Sequence, residues 1–272
     1  MTSSLTIGSD KNVTIDLNGK KLTGNVNAGR AIKIDGNNVN LVINATGSTV
    51  EFGNGTYGIV EIANGSQNVK VTINGGTFTG TTDCGAFVRF RPNGNNNVVT
   101  LNNVTYTDNC TFSGDYQETN AWVINTDDCG GTGNKVIVNG GTYTGACGFA
   151  IGYTSEFNDV TMNMKAAATE FYYENDSYKD IAHLVKDCNI TIAPGSSAVY
   201  SAPGCCIAAS NKGKVEVINS IVNCNVGAGV EGYAYGIFPT GGIINVTGGT
   251  YNGNTKVWPE SVTGFVSKLT IN

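Results

Sequence analysis

The chain has 272 residues, of which 37 are glycine and 35 asparagine, and only 14% of its side chains are charged, against roughly 7% glycine and about 25% charged residues in an average soluble domain. Glycine costs backbone entropy in a helix and asparagine favours turns, which rules against a mainly helical protein, while 40% hydrophobic residues, few prolines and no collagen triplet set aside the disordered and fibrous classes. A net charge of −5 with scattered basic residues argues against a nucleic-acid partner, and no apolar run approaches the ~18 residues of a membrane span.

Along the chain, Met1 to Ser4 are polar and patterned sequence begins at Leu5, so no secretory signal is read. A motif then recurs: asparagine, alternating β-branched residues, and a turn of the type Asn-Gly-Gly-Thr-aromatic-Thr-Gly. Its copies open at Asn12, Asn38, Asn68, Asn97, Asn134 and Asn158, with weaker ones at Cys188, Gly213 and Gly241. Taking Val13, Val39, Val69, Val98, Val136, Val160, Ile190, Val215 and Ile243 as first strand residues, the spacings are 26, 30, 29, 38, 24, 30, 25 and 28. Lys268 to Asn272 reads as the opening strand of one more copy. Within the third copy, three short strands are predicted over 69–73, 77–79 and 86–91, each alternating with period two and separated by glycine-rich turns.

Three strands per repeat of this length predict a parallel β-helix. The expected architecture is all-β: a single-stranded right-handed parallel β-helix of about nine to ten coils forming one domain over residues 1–272. Loop insertions are placed near 108–120, where one period stretches to 38, and near 172–180. Inward Val, Ile, Leu and Phe form the core, the rings of Phe78, Tyr106 and Tyr143 stack inward, and asparagines at equivalent turns form amide ladders. Eight cysteines, none in a CxxC pair, leave disulfides and buried thiols both open.

On these repeats the chain resembles the pectate-lyase-like superfamily of right-handed β-helices, which includes polygalacturonases, phage tailspikes and bacterial surface repeat proteins. Its NGGTFTG and NGGTYTG copies are similar to repeats in surface proteins of gut bacteria and their phages. The stretch from Asp127 to Gly152 resembles the middle two elements of a polygalacturonase, where acidic residues protonate the leaving oxygen and activate water. Carried over, Asp127 and Asp128 match the acidic pair. Cys147 stands where that family has histidine, and no Arg-x-Lys follows.

Pectate lyases hold Ca2+ with carboxylates and use an arginine base. Arg89 and Arg91 fall on one side of a predicted strand, and Asp83, Asp108, Asp115 and Glu118 come from nearby turns and the long insertion. On this resemblance they form a ligand site, with Ca2+ as the one cofactor implied. Tyr116, Trp122 and Tyr153 are candidate rings for stacking on sugars. The lone His183 lies outside any matching motif and is read as a surface or satisfied strand residue.

The functional expectation is a non-enzymatic structural or adhesive surface β-helix, extracellular, on a cell surface or in a virion. Its expected partners are polysaccharide or other virion and surface proteins, with homo-oligomers or end-to-end stacking where a sheet end is open. The alternative is a polysaccharide hydrolase or lyase acting on acidic glycans through Asp83, Asp115, Asp127 and Asp128.

Overall fold

The computed structural model describes residues 2–24, 29–53, 56–81, 86–91, 93–109, 122–126, 130–171, 182–192, 204–210, 213–224, 234–252, 254–255 and 268–272. Among them the regular structure is all strand, and every pairing between strands is parallel. One ladder holds ten strands in strict order along the chain, from Asn12–Asp16 to Lys268–Ile271. Each strand pairs only with its counterpart one turn before and one turn after. That is a β-solenoid, the fold class predicted from the repeat.

Two further ladders complete each turn. Thr77–Gly80 pairs with Thr105–Asp108, and Val88–Phe90 pairs with its counterparts on both sides. The long strands Thr142–Ile151 and Thr161–Phe171 turn the corner without a break. They fuse these two ladders into one sheet, with a register shift between Gly145 and Cys147.

Alternation decides what is buried. In Lys70–Asn74, Val71 and Ile73 face in while Thr72 faces out, and Val99/Leu101 and Val136/Val138 repeat the pattern on the next two rungs. Phe78, Tyr106 and Tyr143 occupy one inward column in register and are fully buried, as expected of a core stack. A run of packed rings passes through the core from Tyr143 to Phe149, Phe157 and Phe171, with ring centroids 5.2, 4.8 and 5.8 Å apart. Outward, Thr49, Thr77, Thr105, Thr142 and Thr161 lie in register on five successive rungs. β-Branched side chains suit such an exposed pleated face.

The asparagines do structural work at the end of the first strand. The side-chain amides of Asn74, Asn102, Asn139 and Asn158 each donate to the amide oxygen of the asparagine one turn earlier, beginning at Asn44, at 2.9 to 3.1 Å. The rungs are 30, 28, 37 and 19 residues apart in sequence, so the ladder holds register across turns of very different length. Asn102→Ala removes one donated and one accepted bond at a half-buried site. It is expected to cost about 1–2 kcal/mol, read as a lower urea midpoint at unchanged slope.

The next residue bends the chain. Gly75, Asn103, Gly140, Asp159, Asp187, Asn219 and Gly248 share a left-handed φ between 49° and 65°. Glycine adopts it without a Cβ penalty, and Asn and Asp tolerate it through local hydrogen bonding.

This turn corrects two strand assignments. The segments after Asn158 and Cys188 are not first strands: Thr161–Phe171 and Asn189–Ile192 lie in the second ladder. The first strands of those turns are Thr154–Asn158 and Ala182–Lys186. Asn-Asp-Val-Thr at 158–161 imitates the opening of a copy, yet Asp159 occupies the left-handed turn position that Gly140 fills one rung earlier.

Candidate functional site

Several described charged side chains share the outer face of the third ladder. Register places Lys33 beside Glu61, Glu61 beside Arg89, and Arg89 beside Asn125. Arg89 and Arg91 are half-buried and flank the fully buried Phe90, so both project to the same outer side, as their spacing predicts. Arg91 Nε lies 3.6 Å from Glu61 Oε2, and Lys33 Nζ donates to Asp35 Oδ2 at 2.7 Å. That bond and the nearby Asp35 charge raise the Lys33 pKa. Successive rungs therefore present cation, anion, cation along the axis, at about 4.8 Å per rung.

The other candidates fare differently. Trp122 and Tyr153 are 5% and 3% exposed and belong to the apolar core. Tyr153 packs edge-on against Phe90, with centroids 5.6 Å apart, and its hydroxyl donates to the Gly130 carbonyl oxygen at 3.0 Å. Neither ring offers a face on which a sugar can stack. Asp83, Asp115, Tyr116, Glu118, Asp127 and Asp128 lie outside the described residues, as do most of the insertion near 108–120 and all of that near 172–180.

Asp108 is described, and it departs from the expectation of an acidic loop. It ends the strand Thr105–Asp108 on the inward side, after Tyr106 in and Thr107 out, and is 7% exposed. Its rung neighbour Gly80 and the nearby Gly145 leave room for it, since a Cβ on Gly145 would come within 2.7 Å of the Asp108 Cβ. Among the described residues no three His, Cys, Asp or Glu side chains converge as a cation site.

Cys147, in the position of the family histidine, is buried, and burial pushes its thiol up to about 12. Across the neutral range it is a protonated core side chain, which neither delivers nor accepts a proton as that histidine would.

His183, expected from the sequence to be a surface or satisfied strand residue, is a buried strand residue whose partner is Ser155. Ser155 and His183 are register partners on the inward side of the first ladder, with Oγ and Nδ1 2.9 Å apart. The imidazole stacks on Phe171 at 4.5 Å, and its Nε2 has no hydrogen-bond partner. A serine beside a histidine has the chemistry of a nucleophile and base, but both are about 1% exposed. The alternation of Ala-His-Leu-Val-Lys was the available signal, since it aligns His183 with Val215.

Burial lowers the His183 pKa from 6.5 to about 3. Below about pH 6.5 the unfolded chain takes up a proton that the folded one refuses until about pH 3. This contribution is thus complete above pH 6.5 and is lost as the pH falls toward 3, by up to about 1.4 kcal/mol per pH unit. Denaturation curves at pH 6 and pH 4 are expected to show that extra loss in the native protein and not in His183→Leu.

Compared with known proteins, the chain matches no protein-family model, no curated protein and no solved structure. The fold and the placement of side chains define the class: an all-β parallel solenoid with a charged strip on one outer face.

Proposed function

We propose that this solenoid is a non-enzymatic structural or adhesive component of a cell surface or virion, which holds acidic glycans against the strip around Arg89 and Arg91. Its architecture fits the pectate-lyase-like superfamily. The observation that carries the reading is the register of Lys33, Glu61 and Arg89, with Arg91 on the same side. A rigid ladder holds these charges at fixed spacing, and a linear polyanion lying along the axis meets cations at matching intervals. Glu61, 3.6 Å from Arg91 Nε, sets that arginine in place and leaves the strip selective for a spaced charge pattern over any dense polyanion.

The experiment is binding of the full chain to immobilised polygalacturonate and, as a neutral control, dextran. The expected result is salt-sensitive binding to polygalacturonate alone, weakened at least about tenfold in Arg89→Ala/Arg91→Ala, an effect on the scale of charge-assisted hydrogen bonds. Equal binding of the variant, or of dextran, would overturn the glycan reading. New reducing ends or unsaturated products would assign a polysaccharide hydrolase or lyase instead.

A further inference from the structure

Two of the described thiols meet across successive turns. Cys206 lies in the strand Gly204–Ser210 of the third ladder, and Cys224 ends the strand Ile221–Cys224 of the second ladder one turn later. These strands are in contact across the corner of the solenoid. The Cys206 Sγ reaches the next turn, where it lies 3.6 Å from the Asn223 carbonyl oxygen and hydrogen-bonds the Cys224 side chain. Neither is in a disulfide; Cys206 is fully buried and Cys224 6% exposed.

We propose that Cys206 and Cys224 are a redox pair that closes to a disulfide, stapling one turn of the solenoid to the next when the protein meets an oxidising thiol–disulfide couple. The pair differs from the other described thiols. Cys188 donates to the carbonyl oxygens of Lys186 and Phe157, and Cys147 is buried among apolar side chains. Burial pushes both up, to about 11 and about 12. At Cys224 the hydrogen bond from Cys206 outweighs burial and lowers the thiol's pKa, which favours the thiolate that reacts.

The order of events follows from exposure. Cys224, 6% exposed against 0% for Cys206, is the less buried of the two, and its thiolate attacks one sulfur of a small-molecule disulfide such as oxidised glutathione, expelling one glutathione thiolate. Cys206 gives its proton to that thiolate, and its sulfur attacks the Cys224 sulfur of the mixed disulfide. The second glutathione leaves as a thiolate and takes up the proton released when Cys224 ionised. Two protein thiols are oxidised by two electrons, and one glutathione disulfide becomes two glutathione thiols. The bond closes a loop with 17 residues between its ends, removing conformations from the unfolded chain alone.

The test uses the full chain incubated in glutathione buffers from reducing to oxidising, then denatured, alkylated and mapped by peptide mass spectrometry. Expected are a linked Cys206–Cys224 peptide, its persistence in Cys205→Ser, and a melting temperature about 5 °C higher in the oxidised protein. Cys224→Ser should abolish the link and the shift together. The proposal is overturned if Cys206 and Cys224 remain fully alkylatable in oxidising buffer, if Cys224 stops at the glutathione adduct, or if Cys205 is the partner found. Should Cys224→Ser fail to fold, the peptide map of the native chain decides alone. None of these outcomes depends on glycan binding, so the two proposals fail separately.

Discussion

Phe157→Ala is expected to cost about 3–5 kcal/mol, the range for deleting a large buried ring when its surroundings relax only partly. Phe157 is fully buried, with Phe149 at 4.8 Å on one side and Phe171 at 5.8 Å on the other. Neighbours on the rungs above and below are held by backbone ladders, so they cannot close over the gap without breaking register. The vacated volume stays as a cavity, and the Phe171–His183 stack loses its support. Urea denaturation followed by far-ultraviolet circular dichroism measures the loss. Thr161→Ala, on the outer face of the same region, is expected to stay within about 0.5 kcal/mol of the native chain.

Gly141→Ala carries the second large effect, about 3–4 kcal/mol, from two sources that add. Gly141 has φ 93°, a left-handed conformation that strains any L side chain. A Cβ there would also run into the Val104 carbonyl oxygen and lie 2.9 Å from its nitrogen. That backbone belongs to the rung below and cannot move alone. Gly19→Ala separates the two sources: its φ is 71°, with nothing within 4 Å of the added carbon. It should cost only about 1–2 kcal/mol, the conformational part. If the two variants unfold at the same urea concentration, close stacking of turns is not what Gly141 serves.

Much of this architecture is legible in the sequence because a solenoid writes its structure locally. Val71 and Ile73 recur as Val99 and Leu101, then as Val136 and Val138, and these are the residues that stack. The misplaced strands at 158 and 188 show the limit of that legibility. An asparagine before alternating β-branched residues marks the start of a first strand in one turn and its end in another, and the two differ in the φ of the following residue. Side-chain direction was harder to read where strands turn a corner. Trp122 lies just before the short strand Ile124–Asn125 and Tyr153 just after Thr142–Ile151, so no long alternation fixed their direction, and both pack inward. Asp108 reads as a loop acid because an insertion follows it. It is buried because alternation from Tyr106 carries one residue further, opposite glycine on the preceding rung. The strip of Lys33, Glu61 and Arg89 is invisible to a search for contiguous motifs, since its members come from three different turns.

The chain climbs one rung of the first ladder at each repeat, and everything else in the fold depends on that register. Outward positions Thr14, Glu156, Glu216 and Asn245 share one column of the first ladder, five, seven and eight rungs above Thr14. Spin-labelled unnatural side chains, one at Thr14 and the second at each of the others in turn, give the distances directly by pulsed electron resonance. At about 4.8 Å per rung the separations are roughly 24, 34 and 38 Å, rising in the order of the rungs. A separation to Glu216 or Asn245 shorter than that to Glu156 would mean that the chain folds back on itself, and it would contradict the solenoid.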